Sequence, residues 1–434
     1  MVEGRKSGYL AWPVSIFGPA PGQREINLAC WGLFAGLLIT NFCFPLWVQF
    51  RTGSGPLHLL PADFIYFYSI GHIANSYPLT RLYDYKLQLA TFNSLYEVHD
   101  GAYGPSPYPP FVALFFGLFA RMSFLWAFFL WAFVSLFLYM AGIALVLKGA
   151  FPGAKLKGSL IFCFALAFCP FLHNTLANGQ IATVAVFAVG LAISLECRSK
   201  PLLSGLALSI LAYKPTLLLL ILPMLLLTRR YRQLSGFVLG LGLLVLVSTL
   251  FGGVEIWPAY ASFLIFFGKQ AGINGQSVLL LRQYVDLKTF LQAVSSGKST
   301  TEWISFVLLA IAVAITLGVL LWKSGRKGRV VQYLAWATTL TWTLLLNVYV
   351  PVYDSILISI AAVLTLAALN ELGWSEASTW CSLLFVVIGA ASWGLDVIAF
   401  KSGIQFLSIL LAGLGIAQLF FLYRVQSEKS ESLA

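Results

Sequence analysis

Residues 202–232 read LLSGLALSILAYKPTLLLLILPMLLLTRRYR. From Leu202 to Thr228 the only charged residue is Lys214, and arginines follow at 229, 230 and 232. One crossing of a bilayer takes about 20 apolar residues, so a run this long and this apolar belongs in a membrane. The cations that close it decide how it is threaded, because Lys and Arg clusters stay on the cytoplasmic side. A single straight helix would export Arg229, Arg230 and Arg232. Two short arms bent at Lys214-Pro215 return them to the side on which the run began. Proline at the bend fits, since it removes a helical hydrogen bond. The stretch therefore reads as a hairpin with Lys214 at its tip.

Similar runs fill the chain. Its 434 residues are 59% hydrophobic and 10% charged, where a soluble domain carries about 25% charged residues. The runs are continuous, not alternating, which predicts an all-α polytopic membrane protein and excludes a β-barrel. The net charge of +11 does not mark a nucleic-acid binder. The cations lie in short clusters between apolar runs, such as Lys148, Lys155 and Lys157, or Lys323, Arg326, Lys327 and Arg329. The six cysteines have no metal-ligand spacing, so neither a zinc site nor disulfides are expected.

Hydropathy and charge together predict about twelve spans with both termini cytoplasmic. They fall near 26–48, 122–147, 159–173, 180–196, the two arms of 202–228, 234–252, 303–322, 330–349, 355–369, 380–399 and 403–423. The first span follows a polar segment without a small-residue cleavage site, so it reads as a retained helix and not a signal peptide. A long first outer loop covers 49–121. Its last piece, Phe111 to Ala120, is too short to cross and reads as re-entrant. A second outer loop covers 253–302, with an amphipathic surface helix expected within Leu279–Phe290. Residues 1–423 form one membrane domain, and 424–434 are expected to be a disordered cytoplasmic tail.

The chemistry-bearing residues lie in the outer segments. The first loop contains PADFIYFYSIGHIANSYPLTRLYD and then YEVHDGAYGPSPYPP. Asp63 opens a predicted helix, where it is either a helix cap or a general base at the membrane surface. Burial at a dry rim would raise its pKa and suit it to the second role. Tyr66, Phe67 and Tyr68 are either an interfacial aromatic belt or faces for a sugar. Lys214 is costly inside an apolar run. It is either a partner for a lipid phosphate or a lysine that snorkels to the boundary. Asn178-Gly179-Gln180 is either a turn or an amide pair for hydroxyls or phosphate. Arg282 is a candidate phosphate partner or a solvated cation. Asp354 is a second carboxylate or a helix cap. His58, His72, His99 and His173 share no metal-ligand spacing, so no metal is assigned.

The order of these motifs carries a resemblance. An Asp-Phe early in the first outer loop is followed by Leu-Tyr-Asp, ending at Tyr83-Asp84. Tyr108-Pro109-Pro110 then precedes a short apolar segment. Asn-Gly-Gln at 178–180, Tyr-Lys-Pro at 213–215 and Val-Tyr-Asp at 352–354 complete the series. Together they resemble the family 87 glycosyltransferases, membrane enzymes of the C-type architecture that use polyprenyl-phosphate sugars. The motifs span residues 60–354, and the helices after about 370 add little.

The resemblance implies a single integral membrane glycosyltransferase with juxtamembrane helices in its first outer loop. It implies Asp63 as catalytic base and agrees with Lys214 at the donor phosphate. Arg282 is a further phosphate candidate on its own chemistry, and Tyr66, Tyr83, Asp84, Tyr108, Asn178, Gln180, Tyr353 and Asp354 are candidate substrate-binding residues. The expected donor is a polyprenyl-phosphate sugar, mannose first, with a pentose such as arabinose as the alternative. The expected acceptor is a glycolipid or lipid-linked glycan. Transfer would be inverting and independent of a metal cofactor, on the extracytoplasmic side of a bacterial plasma (inner) membrane. An aromatic-His-Asp group common in the family is here Val352-Tyr353-Asp354, so no role of that histidine carries over. A lipid or glycan flippase is the rival reading. The carboxylates lie in outer loops and not at mid-membrane positions, which disfavours it.

Overall fold

The structure is a computed structural model of the chain, and it describes residues 63–96, 105–150, 165–273, 280–295, 300–325, 328–348 and 350–431, with isolated positions between 28 and 39. These residues are helical apart from loops and one antiparallel bridge between Tyr284 and Pro351. The expected first span near 26–48 lies mostly outside them.

Among the described residues, six helices are long and apolar enough to cross a membrane: Phe124–Ala150, Tyr231–Gly252, Thr301–Ser324, Val352–Glu371, Ser375–Ser402 and Leu407–Ser427. A seventh crossing would pair Pro170–Ala177 with Ala182–Cys197 across a bend of 118°. The expected twelve exceeds this number for several reasons. The span near 26–48 lies mostly outside the described residues, and the hairpin arms are the shorter apolar helices Pro201–Tyr213 and Pro215–Leu227. Beyond these, the expected spans near 159–173 and 180–196 fall on the one bent pair, and the expected 330–349 is the 17-residue helix Arg329–Leu345, shorter than the six. The expected short piece after Tyr108 is the ten-residue helix Pro110–Phe119, begun by a proline whose fixed φ suits a first helical turn. The last helix continues to Glu431, through most of the tail expected to be disordered from 424.

The helix Val352–Glu371 is enclosed on almost every side, whereas Tyr231–Gly252 and Thr301–Ser324 are mostly uncovered. Exposed Leu243, Leu246, Leu250, Leu308 and Ile315 give the latter two apolar outer faces, as lipid-facing helices require. The enclosed helix packs chiefly on Arg329–Leu345 and Phe124–Ala150.

The two ends of the bundle differ in charge. At one end the Arg230 guanidinium pairs with Glu196 at 2.6 Å, and the Trp336 indole N–H donates to the same carboxylate at 2.8 Å. Arg229 lies 5.3 Å over the Trp322 ring. Residues on either side of the 201–228 stretch thus meet at one end, so the chain leaves that end, turns at Lys214 and comes back. Gly205 makes the outgoing arm fit: a Cβ there would lie 1.9 Å from the Gln233 carbonyl oxygen, and one at Gly236 would lie 2.0 Å from that of Leu202. The arm and the helix Tyr231–Gly252 therefore touch backbone to backbone. Proline at 215 ends the outgoing arm, and Lys214 takes an extended conformation between two 3-10 turns.

Candidate active site

The opposite end gathers residues from five distant segments. Asp63 immediately precedes the helix Phe64–Ser76, yet its side chain does not cap it. Its backbone is held instead: the N–H groups of Asp63 and Phe64 donate to the carbonyl of Asn178 at 3.1 and 2.9 Å. The Asp63 carboxyl group accepts a side-chain hydrogen bond from Gln180. Burial raises its pKa, and the Gln180 bond opposes that shift in part. Of the two roles open to Asp63, the cap is the one its carboxylate leaves unused.

Gly179 makes this docking possible. Its φ is +73°, and a Cβ there would lie 2.6 Å from that of Phe64, so both conformation and space call for glycine. The turn is fixed from behind. The Trp131 indole N–H donates to the Gly179 carbonyl at 2.9 Å, and the Gln180 N–H donates to the Thr175 carbonyl at 2.8 Å. A π-helical turn, Pro170–Ala177, leads into it, a form that recurs at functional sites.

The second carboxylate, Asp354, is 1% exposed in the first turn of the enclosed helix. One of its oxygens binds the Lys214 ammonium group, which also lies 4.7 Å from the centre of the Tyr353 ring. Tyr108 joins the two halves. It shares a hydrogen bond with Tyr353 and lies within electrostatic reach of both Asp63 and Asp354. Burial pushes the Tyr108 phenol well above its usual range, and the two carboxylates add to the shift. Tyr213, beside Lys214, is within reach of Asp354 and Tyr108.

The elbow at 212–215 faces two ways. Tyr213 and Lys214 turn into this polar group, while Ala212 and Pro215 line an apolar groove of about 510 Å3. Pro109 lines the same groove, next to Tyr108 in the polar group. The rest of the groove is walled by residues such as Leu219, Leu222, Leu241 and Trp257. Its wall adjoins the polar group in the chain at Pro109, Ala212 and Pro215 and is otherwise almost wholly apolar.

Four expected site residues stand elsewhere. Tyr66 stacks on Phe92 with ring centres 5.3 Å apart. The Tyr83 hydroxyl donates to the Tyr108 carbonyl at 2.9 Å, and its ring packs on Tyr260 and Phe263, so it supports Tyr108 from behind. Asp84 pairs with Arg81 at 2.9 Å and accepts from the N–H groups of Lys86 and Leu87. The Arg81 hydrogen bond chiefly holds its carboxyl below the usual range. Arg282 lies 4.6 Å over the Phe400 ring, and its charge is sensed by Asp396, not by Asp63 or Asp354.

Asp286 went unnoticed in the sequence. It is fully buried, caps the helix Leu287–Val294 through the Thr289 N–H at 2.8 Å, and accepts from the Val350 N–H at 2.8 Å. The Val285 N–H donates to the Val350 carbonyl at 2.8 Å. The second outer loop is thereby pinned to the residues just before Tyr353 and Asp354. The expected surface helix in that loop starts at Leu287, later than the amphipathic pattern suggested. Among the described residues no group of three His, Cys, Asp or Glu side chains is placed to hold a metal ion; His58 and His99 lie outside them.

Residues 107–347, more than half the chain, match glycosyltransferase family 87. The chain belongs to that family. No curated protein and no solved structure matches it. Membership makes the chain a membrane glycosyltransferase, with a sugar donor and an acceptor as substrates, and sets the flippase reading aside. The family match takes in Tyr108, the 178–180 turn and the elbow. Asp63 and Asp354 fall outside the matched residues and are tied to them by the contacts above.

Proposed function

We propose that this family 87 enzyme transfers a monosaccharide, mannose in the first instance, from a polyprenyl phosphate to a hydroxyl of a glycolipid or lipid-linked glycan. The observation that carries the reading is the two-faced elbow: a cation and hydroxyls on one side, a hydrocarbon groove on the other. A polyprenyl-phosphate sugar has the same division, an isoprenoid tail joined through phosphate to a polar ring. The tail lies in the groove, the phosphate at Lys214 and the sugar among Tyr108, Gln180, Tyr353 and Asp354.

The reaction needs one base. The acceptor oxygen attacks the anomeric carbon from the face opposite the phosphate, Asp63 takes the hydroxyl proton, and the carbon–oxygen bond to phosphate breaks with its electron pair leaving on the phosphate. Configuration inverts. A carboxylate of raised pKa is a better proton acceptor while still ionised near neutrality. Lys214 gives one of its three N–H groups to Asp354. The others can meet the charge that grows on the leaving phosphate. No step requires a metal, because a lipid phosphate leaves readily. The cation-rich end with Arg229, Arg230 and Arg329 fits the cytoplasm, which supports an extracytoplasmic site.

Purified enzyme supplied with decaprenyl-phosphate-mannose and with a water-soluble short-chain analogue tests the groove. A KM at least roughly tenfold higher for the short chain is expected from lost apolar burial. Equal use of both donors would argue against a lipid-phosphate donor in this groove.

A further inference from the structure

Among the described residues, three buried polar atoms around the site have no protein partner: the Tyr213 hydroxyl, the second carboxylate oxygen of Asp354 and the side-chain oxygen of Gln180. Their residues are 3%, 1% and 6% exposed. Buried polar atoms are almost always paired, and each exception calls for an explanation. At Tyr213 the cost is avoidable, since phenylalanine would fill the same space with no hydroxyl to satisfy. Two of the three atoms can only accept a hydrogen bond, and the phenol can do either. The complementary ligand is a ring bearing several free hydroxyl groups.

We propose that Tyr213 is a specificity-determining residue that reads one hydroxyl of the donor sugar, with Asp354 and Gln180 accepting from others. This rests on the donor reading given above and adds a residue and a selection rule to it. Tyr213 is suited to the task by its place. It ends the short 3-10 turn Ser209–Tyr213 directly before Lys214, so the groups that hold the phosphate and read the sugar are neighbours in the chain. The elbow then fixes the distance between them. A site built to bond a substrate hydroxyl rejects the analogue that lacks it, because its own polar atom is left bare. Tyr213 touches no reacting atom in this scheme and moves no proton.

The experiment uses the full-length enzyme in nanodiscs, with decaprenyl-phosphate-mannose and its 2-, 3-, 4- and 6-deoxy analogues as donors. Wild type should lose kcat/KM by roughly 10- to 100-fold at the positions whose hydroxyls Tyr213, Asp354 and Gln180 read, one of them the position that Tyr213 reads. Tyr213→Phe should reduce kcat/KM for the parent donor by a similar factor and use that one deoxy donor as well as the parent. A purely structural role would lower all five donors together. Wild type that uses the four deoxy donors alike, or a Tyr213→Phe enzyme that keeps the wild-type pattern, would overturn the proposal, and the first of these needs no variant to fold. Wild type inert with every polyprenyl-phosphate sugar would instead overturn the donor reading, and this inference with it.

Discussion

Lys214 and Asp354, 140 residues apart in the chain, form an ion pair next to Pro215, which lines the hydrocarbon groove. Each explains the other. A lysine at the tip of an apolar hairpin needs an anion, and a carboxylate that is 1% exposed needs a cation. Removing one partner strands the other charge, whereas replacing both with apolar groups does not. Lys214→Met should therefore lower thermal stability by roughly 3–5 kcal/mol. Lys214→Met combined with Asp354→Leu should regain most of that loss in a detergent melting experiment. The double variant should still lack transfer activity, because no cation then meets the phosphate. Full activity in the stable double variant would remove Lys214 from the mechanism.

The Gln180 side chain should influence the acid limb of the pH profile. As a base, Asp63 must be ionised, so kcat/KM should fall as pH drops through its pKa. That pKa is already raised by burial, and the Gln180 bond holds it down. Tyr108 and Tyr353, the other groups that face Asp63, are neutral in this range. Gln180→Leu removes a bond that stabilises the carboxylate, so the limb should move to higher pH. A limb that stays put or moves to lower pH would contradict the assignment of that titration to Asp63.

Gly179→Ala should be damaging out of proportion to its size. The added methyl meets Phe64 at 2.6 Å in a backbone conformation that side chains disfavour. The turn must shift, and it carries the Asn178 carbonyl that holds the Asp63 backbone. A misplacement of about 1 Å in a reacting group costs roughly 100-fold in rate. Single-turnover kinetics should show a loss in the chemical step beyond any loss of donor affinity from the displaced Gln180. Wild-type rates in Gly179→Ala would mean that this turn does not position the base.

Much of this arrangement was legible in the sequence, for identifiable reasons. The hairpin could be read because charge and proline act locally, and both Lys214-Pro215 and the arginines after Thr228 are explicit signals. Asp63, Tyr108, Gln180, Tyr353 and Asp354 could be listed one by one from motif order. Their meeting at one end could not be read, since it depends on helices packing across the bundle. Asp84 and Arg282 show the converse. Their residue types suit a sugar or a phosphate, but a neighbour at short range claims each: Arg81 for the first, the Phe400 ring for the second. Asp286 carried a local signal, an Asp three residues before a threonine in the cap position of a short helix. Its second bond, to Val350, crosses 64 residues and leaves no trace in the sequence. The span count suffered from a different cause. Hydropathy registers the arms of a hairpin as strongly as full crossings, and only geometry separates them.

The most direct measurement is sugar transfer by the purified enzyme in nanodiscs, with decaprenyl-phosphate-mannose, a pool of membrane glycolipid acceptors and EDTA present throughout. Asp63→Asn keeps the shape of the site and removes the base. Wild type should transfer mannose, and the variant should be slower by roughly 100- to 10,000-fold while melting at the wild-type temperature. An Asp63→Asn enzyme that transfers at the wild-type rate would contradict the account at its centre.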